Sequence, residues 1–348
     1  MIENKTHTKE WLDSLLKNYP HNDPILLEKC CKALTLLEQI KLAKLDFIFR
    51  GGTSLLLLFD SPRRLSIDID VIVPGKPDDF EEMLSQLTQH GVFTRVEQNI
   101  RKQKESVPKA HYKFYFDSLA TQGESYVLLD VLFDKNPYPN VIQKPILNKL
   151  ISTIEPITKV AVPDIDSILG DKFTTIAPNT IGIPFDQNKV LEIGKQIYDI
   201  DFLFDHITDI STVRASFESI AAQEISYRNN DLSIEDVLKD SFEICLATAF
   251  QGTKDKKMFS VITEAMKRVR NFSIENKGYT LDDALRVSGK LAYLIQLFKT
   301  KAEFEKYSDP SPAIDWVIEN PEYNRINKIK KRSIESFYYW FKALQLMG

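Results

Sequence analysis

Two aspartates with one residue between them, Asp68 and Asp70, are the feature of the sequence that most clearly suggests chemistry. They lie in residues 66–73, where polar and β-branched residues alternate, a pattern that predicts a strand. Side chains two apart on a strand share a face, so Ser66, Asp68 and Asp70 are expected to point the same way. Neighbouring carboxylates repel each other unless a cation lies between them, and their hard oxygens suit Mg²⁺, which also binds substrate phosphates. The pair therefore predicts a metal site for phosphate chemistry.

A third carboxylate, Asp130, interrupts the apolar run at residues 126–133. A charge in a buried strand is costly unless it has a partner or a metal, so we expect a neighbouring strand to bring Asp130 beside Asp68 and Asp70. The alternative is a carboxylate at a strand end, because the sequence does not give the strand register.

A glycine pair, Gly51 and Gly52, precedes the aspartates. Glycines let backbone N–H groups approach a phosphate, and the helix predicted to begin near Thr53 would offer its positive end to that anion. Between the glycines and the aspartates, Arg64 either contacts phosphate or brackets a loop, and Ser66 either serves the site or only hydrogen-bonds the turn. Phosphates and metal are thus expected to meet between turn and strand.

These residues, taken in order, resemble a known superfamily. The runs GGTS at residues 51–54, RRLSIDID at residues 63–70 and VLLDV at residues 127–131 resemble the DNA polymerase β-type nucleotidyltransferases. More narrowly, they resemble the AbiEii/AbiGii type of bacterial toxin, to which the mycobacterial MenT toxins also belong. Lys172 in an Asp-Lys context and the run KQIYDI at residues 195–200 match two later helical elements of that family. Gln196 departs from the usual Asp, and Thr53 from the Ser that the superfamily prefers.

The resemblance implies an enzyme that moves an NMP group from an NTP to an acceptor hydroxyl and releases pyrophosphate. Asp68, Asp70 and Asp130 would hold Mg²⁺ or Mn²⁺, and Asp130 would also orient or deprotonate the acceptor. The residues assigned to nucleotide and phosphate binding are Gly51, Gly52, Thr53, Arg64, Ser66 and Lys195.

Two further side chains, Lys172 and Asp199, are assigned to catalysis on the same resemblance. Lys172 would neutralise charge as pyrophosphate leaves, whereas without the family context a lone lysine on an amphipathic helix is usually solvated. Asp199 lies four residues after Lys195, which is also the spacing of an ordinary helical ion pair. In the resembling toxins the serine at the position of Ser66 can be a phosphorylation target, and a phosphate there would repel the neighbouring carboxylates.

The partners implied by the resemblance are an RNA acceptor, such as the 3′ end of tRNA, and a cognate antitoxin. Two basic stretches would suit RNA, but each is also typical of an ordinary charged surface. They comprise Arg95, Arg101, Lys102, Lys104, Lys109 and Lys113, and then Arg325, Lys328, Lys330, Lys331 and Arg332 before the aromatic run at residues 337–341. Two rivals remain: a small-molecule nucleotidyltransferase of the antibiotic-modifying type, and a catalytically silent module that binds nucleotide or antitoxin.

The elements that must position these residues change character along the chain. A helix is predicted at residues 24–45, capped by Asn22 or Asp23, and strands at residues 47–49, 66–73, 92–100, 111–116 and 125–133, with helices at 54–59 and 77–89. Later helices are predicted at residues 164–176, 186–206, 213–227, 233–249, 256–269, 280–304 and 322–346. The predicted fold class is α/β (α+β), with a mixed-sheet nucleotidyltransferase core, N-terminal helices and a helical C-terminal half. The expected domains are residues 1–45, 46–207 and 208–348.

The composition excludes several other classes of protein. The 348 residues carry 45 Lys+Arg against 49 Asp+Glu, a formal charge of −4, so the chain is not a polycation. Three cysteines, two of them adjacent as Cys30 and Cys31, cannot support a disulfide framework or a CxxC metal pair. No apolar run approaches the length of a membrane span and the first residues lack a signal-peptide core, so we expect a cytoplasmic protein without membrane contact.

Overall fold

The computed structural model describes residues 1–61, 63–100, 107–185, 189–228, 231–274, 278–309 and 311–348. The chain divides into two units, Met1–Asp164 with Asn271–Asn276, and Ile165–Arg270 with Lys277–Gly348. The break after Asp164 differs from the breaks after residues 45 and 207 that the sequence suggests, and the three-part division stays a prediction. Among the described residues, no helix is both long and apolar enough to cross a lipid bilayer.

Two helices open the first unit: α1 spans Lys9–Asn18 and α2 spans Pro24–Leu42, with a short 3₁₀ turn at Asn4–His7 before them. The Asp23 side chain accepts a hydrogen bond from the Ile25 N–H, which confirms the predicted cap of α2. The sequence does not predict α1. Its Trp11 Nε1 donates to the Leu150 carbonyl at 3.0 Å, so a partner distant in sequence helps to fix this helix.

A mixed seven-stranded sheet forms the body of the first unit, in the order β3-β4-β5-β2-β1-β7-β6. Its strands are β1 Ile48–Arg50, β2 Ile69–Val73, β3 Arg95–Gln98, β4 Lys109–Asp117, β5 Glu124–Phe133, β6 Val141–Pro145 and β7 Lys159–Pro163. Helix α3, Gly51–Leu58, follows β1 directly, and α4, Phe80–Leu87, continues into a 3₁₀ turn at Thr88–His90. The five strands predicted from the sequence are all present, and the mixed α/β fold class is confirmed.

Strands β6 and β7 are missing from the sequence-based prediction. β6 is an edge strand with two exposed residues among five, so it shows no apolar alternation. β7 is short and gains its place by pairing with β6 in antiparallel fashion and with β1 in parallel fashion. Such strands depend on their neighbours more than on their own composition.

The two faces of the central strands differ. Ile69 and Val71 of β2 and Val127 and Leu129 of β5 are buried in the hydrophobic core, and α2 packs against both strands. Asp70 and Asp130 alternate with these residues and therefore point to the opposite face. The core thus fixes which face of the sheet presents the carboxylates.

The second unit is helical, as predicted for this part of the chain. Its helices are α5 Ile165–Thr174, α6 Val190–Phe204, α7 Ile210–Arg228, α8 Ile234–Ala249, α9 Lys256–Val269, α10 Leu281–Thr300 and α11 Ile334–Met347, with 3₁₀ turns at Arg270–Phe272, Ser311–Ile314 and Asn324–Lys331. The single helix predicted at residues 322–346 is wrong. Ser333 interrupts it and caps α11 by accepting a hydrogen bond from the Ser336 N–H. Asp186, the predicted start of another helix, lies outside the described residues.

Candidate active site

Four charged or titratable residues form one row across the sheet. Asp70 of β2 lies opposite Asp130 of the parallel strand β5 and opposite Arg50 of β1, and His111 of β4 lies opposite Asp130. Residues in register on neighbouring strands share a face, so the row runs His111, Asp130, Asp70, Arg50. The two carboxylates are therefore adjacent and flanked on both sides by groups that can carry positive charge.

A small cavity opens over this row. It has a volume of about 120 Å³ and is lined by Arg50, Asp70, Val71, Lys109, His111, Asp130, Val131 and Leu132. The side chain of Asp130 is 27% exposed, so its carboxylate can be reached from solvent. Lys109 adds a further cation to the rim of the same cavity.

Other side chains approach the backbone closely at Gly51 and Gly52. Gly51 has φ +77°, and a Cβ atom there would lie 2.3 Å from Asp70 Oδ2. A Cβ atom at Gly52 would lie 2.4 Å from Arg64 Nη2 and 3.0 Å from Ser66 Oγ. The missing Cβ atoms thus admit the side chains of Asp70 and Arg64, and phosphate binding at the glycine pair stays a prediction.

Thr53 does not begin the helix, contrary to the prediction. Helix α3 begins at Gly51, so Thr53 lies inside its first turn and is fully buried. Its hydroxyl donates to the Asp68 carbonyl oxygen at 2.5 Å and lies 2.9 Å from Ser66 Oγ. Strand β2 begins at Ile69, so the prediction that Ser66 and Asp68 belong to the strand is also wrong. The Thr53 hydroxyl, rather than strand pairing, therefore positions residues 66–68, which lead into β2.

Arg64 is buried beside the glycines, with 6% of its surface exposed. Its Nη1 donates to the Leu65 carbonyl at 3.1 Å. A segment that returns from much later in the chain holds the backbone around it, because Leu65 N–H donates to the Phe272 carbonyl at 2.8 Å and Ile274 N–H to the Arg63 carbonyl at 2.9 Å. Arg64 is therefore a fixed part of the site and not a mobile loop residue.

His111 is a site residue that the sequence analysis missed. Its Nδ1 lies 2.6 Å from Asp130 Oδ1, and only 8% of the residue is exposed. The histidine spacing in the sequence carries no motif. The one available signal, the alternation within β4, identifies the face of His111 but not its partner, since register is set by strand pairing.

Asp70 and Asp130 suit a divalent cation that enters the site bound to the substrate. Within the part of the chain that the structure describes, no three His, Cys, Asp or Glu side chains form a group that could hold a metal ion. Asp70 and Asp130 nevertheless supply carboxylate oxygens from adjacent register positions. Mg²⁺ is commonly bound by one or two carboxylates with substrate phosphates and water completing its shell. Participation of Asp68 in such a site stays a prediction.

The second unit contains the other predicted catalytic pair. Lys172 of α5 lies with its Nζ 2.7 Å from Asp199 Oδ2 of α6, and their side chains are only 5% and 2% exposed. Lys172 Nζ also donates to Gln196 Oε1 at 3.1 Å. Gln196, the residue that departs from the family pattern, therefore still serves as a partner of the lysine. Lys195 is half-buried on the same helix, and its assignment to nucleotide binding stays a prediction.

The family follows from the sequence as a whole. A model of the family described as nucleotidyl transferase AbiEii toxin, type IV toxin–antitoxin system, matches residues 35–319. The chain belongs to this family. This chain is accordingly a nucleotidyltransferase, and its family is one of toxins.

Solved structures similar to this chain share little sequence with it. MenT4, a nucleotidyltransferase toxin from Mycobacterium tuberculosis, is 12% identical with a TM-score of 0.46, over 90% of this chain and 94% of that one. A putative nucleotidyltransferase from Helicobacter pylori is 12% identical with a TM-score of 0.44, over 80% and 97%. JHP933, also from Helicobacter pylori, is 14% identical with a TM-score of 0.42, over 79% and 90%. No curated protein sequence matches the chain.

Three rings of the aromatic run after the second basic stretch are buried and so closed to RNA bases. Phe337, Tyr339 and Trp340 are at most 1% exposed, since they form part of the core of the second unit. Lys330 of the same stretch donates to the backbone carbonyls of Ile314 and Trp316. In the first basic stretch, Arg101, Lys102 and Lys104 lie outside the described residues.

His111→Ala is expected to lower kcat of the enzyme by about 10–100-fold. A loss of this size is usual when a side chain that orients a site carboxylate is removed. His111→Asn keeps an N–H near the position of Nδ1 and should retain most of the activity. Steady-state kinetics of both variants, with the unfolding midpoint measured alongside, test this expectation. Equal loss in both variants would show that His111 contributes only packing.

Gly51→Ala should impair both stability and activity. The left-handed backbone costs an L-residue about 1–2 kcal/mol, and the new methyl group would also displace the Asp70 carboxylate. Gly91→Ala is the matched control, since Gly91 has φ +78° with no atom within 4 Å of its Cβ position. We expect similar backbone costs in the two variants but loss of transfer activity only for Gly51→Ala. Activity equal to wild type in Gly51→Ala would contradict the role given to this close approach.

Proposed function

We propose that this AbiEii-family nucleotidyltransferase is a Mg²⁺-dependent toxin that moves an NMP group from an NTP to a hydroxyl of RNA, such as the 3′ end of tRNA. The observation that carries the proposal is the register pair of Asp70 and Asp130 beneath a small open cavity. Adjacent carboxylates, with Arg50 on one side and His111 on the other, suit a triphosphate that brings its own metal. A cognate antitoxin and a cytoplasmic location belong to the same proposal, and the match to a toxin–antitoxin family supports them.

The chemistry assigned to the row is an in-line displacement at the α-phosphorus. Asp70 and Asp130, with Asp68, would hold Mg²⁺, and that ion would polarise the phosphate oxygens and the leaving group. Asp130 accepts the proton of the acceptor hydroxyl, and the oxygen of that hydroxyl bonds to the α-phosphorus. The bond between the α-phosphorus and its bridging oxygen breaks, and pyrophosphate leaves with the electron pair. His111, hydrogen-bonded to Asp130, holds that carboxylate toward the acceptor.

The pair of Lys172 and Asp199 is assigned to the departing pyrophosphate. The support is the family match together with the burial of the pair, because a buried lysine held by a carboxylate and an amide has one fixed orientation. Lysine is a point charge that suits phosphate. Lys195 is proposed to contribute a second cation from the same helix.

The test is incubation of the purified protein with total bacterial RNA, Mg²⁺ and each α-³²P-labelled NTP in turn, beside an Asp68→Ala, Asp70→Ala variant. We expect a labelled RNA band with one nucleotide, absent from the variant and abolished by EDTA. That result would identify the donor nucleotide and the acceptor class together. Label in a small molecule but not in RNA, or transfer that survives EDTA, would overturn the corresponding part of the proposal.

A further inference from the structure

Tyr126 and Lys113 lie on the sheet face that presents the carboxylates, and Lys29 of α2 reaches the same tyrosine ring. Tyr126 and Asp130 are on the same face of β5, since they are four residues apart on one strand. Lys113 of β4 and Lys29 of α2 each place Nζ 4.7 Å from the centroid of the Tyr126 ring. Cations at this distance are attracted by the aromatic face, so the ring holds both ammonium groups in place.

In the described part of the chain, no carboxylate is close enough to either ammonium group to neutralise its charge. Among the described residues, no ion pair joins Lys29 or Lys113 to a carboxylate, and both ammonium groups contact the Tyr126 ring instead. Burial lowers the pKa of Lys29, but the negative charges of Asp68 and Glu28 oppose that change. Lys29 therefore lies within electrostatic reach of the predicted metal ligand Asp68.

The neighbouring arginine shows the contrasting arrangement. The Arg95 guanidinium stacks on Tyr115, with Cζ 3.4 Å from the ring centroid, but it also pairs with Glu97 and with Glu124, the latter at 2.6 Å. Its charge is thus already satisfied by two carboxylates. Several described cations lie over aromatic rings on this face of β3, β4 and β5. Among them, Lys29 and Lys113 have charge that can still bind an external anion.

The spacing along β5 matches a strand of nucleic acid whose end reaches the carboxylates. A strand advances about 3.3 Å per residue, so Tyr126 lies about 13 Å from Asp130. Stacked nucleotides advance about 3.4 Å each, so this distance corresponds to about four stacked nucleotides, or fewer in an extended chain. A polymer acceptor therefore places a phosphate near the lysines when its terminal hydroxyl is at Asp130.

We propose that Lys29 and Lys113, held by the Tyr126 ring, bind a backbone phosphate of the RNA acceptor a few nucleotides from its reacting end. This inference rests on the proposed function, because it assumes that RNA is the acceptor. The two lysines serve binding and positioning only, and no bond of the acceptor is broken at this cluster.

The test compares a Lys29→Gln, Lys113→Gln variant with wild type, using total bacterial tRNA and the nucleotide that labels it. We expect KM for RNA to rise about tenfold while kcat and KM for the NTP change less than twofold. The slope of log K against log salt concentration for RNA binding should also fall by about 0.7, the value for one phosphate contact on a single strand. Lys113→Gln alone should show a smaller shift in the same direction, and it provides the test if the double variant does not fold.

Lys41→Gln is the matched control, because Lys41 lies on the same helix as Lys29 with Nζ 5.9 Å from the centroid of the Phe47 ring. We expect wild-type RNA binding for this variant. An unchanged RNA KM and salt slope in the lysine variants, or an equal change in Lys41→Gln, would overturn the inference and leave the proposed function intact. If wild type labels no RNA with any nucleotide, the proposed function fails and this inference fails with it.

Discussion

Asp70→Asn is expected to lower kcat for NMP transfer by about 10³-fold. The variant loses metal and transition-state stabilisation worth several kcal/mol, and each 1.4 kcal/mol lost lowers the rate about tenfold. The amide keeps the shape of the carboxylate against Gly51 but removes its charge. Because Asp70 is only partly buried, the free energy of unfolding should change by no more than about 1 kcal/mol. Kinetics with saturating NTP and a urea unfolding curve measure the two quantities.

The matched control for Asp70→Asn is Asp117→Asn. Asp117 lies at the end of β4 opposite Glu124 of β5, so it is also an aspartate facing a carboxylate across a strand pair. It lies at the far end of that pair from Asp130, and its replacement should leave transfer unchanged. If Asp70→Asn keeps more than about a tenth of wild-type kcat, the row in β2 and β5 is not the catalytic centre.

Lys290→Met is expected to destabilise the protein by about 3–5 kcal/mol, the usual result of removing one partner from a buried ion pair. Lys290 is fully buried in α10, and its Nζ lies 2.8 Å from Asp201 Oδ1 and 2.8 Å from Asp205 Oδ1. Asp201, 1% exposed, would lose its ion pair with Lys290 and keep the one with Arg286. Urea unfolding at neutral pH measures the loss.

The control on the same helix is Lys299→Met, which breaks a surface pair with Glu235 and should cost at most about 1 kcal/mol. The variant carrying both Lys290→Met and Asp201→Asn should recover part of the stability lost in Lys290→Met, because it leaves no uncompensated carboxylate at position 201. Equal small losses at Lys290 and Lys299 would show that the buried cluster contributes no more than a surface pair.

The same cluster predicts an acid dependence of stability. Burial alone would raise the pKa of Asp201, but Lys290 and Arg286 outweigh it and lower that pKa below its usual value. The folded-state pKa is thus below the unfolded value of about 3.9, so this contribution to stability is complete above about pH 4 and is lost as the pH falls further. Wild type should therefore lose stability more steeply than Lys290→Met between about pH 4 and pH 2.

The sequence predicted a candidate set of aspartates because Asp68, Asp70 and Asp130 interrupt apolar or alternating runs. It could not predict that Asp70 and Asp130 are register partners, since a shift of one residue in either strand would separate their side chains. His111 was missed for the same reason. Lys172 looks like a solvated helical lysine in the sequence, and only tertiary packing shows that it is buried against Asp199.

The turn beside the aspartates shows a second limit. The motif at residues 51–54 predicted a helix whose first turn faces phosphate, yet the positions of Thr53 and Arg64 depend on contacts between segments that are distant in sequence. Propensity and spacing describe each segment alone. They do not give the hydrogen bonds that one segment makes with another.

The return of residues 271–274 to the first unit also bears on the timing of protein synthesis. Arg63 and Leu65 reach their backbone partners only after Ile274 has left the ribosome. About a hundred residues are made between Asp164 and that point, which takes roughly 5–20 s at about 5–20 residues per second. Through that interval the nascent chain has its aspartates but lacks the segment that fixes the backbone around Arg64. During synthesis, the candidate site therefore gains this backbone support only after most of the polypeptide has been made.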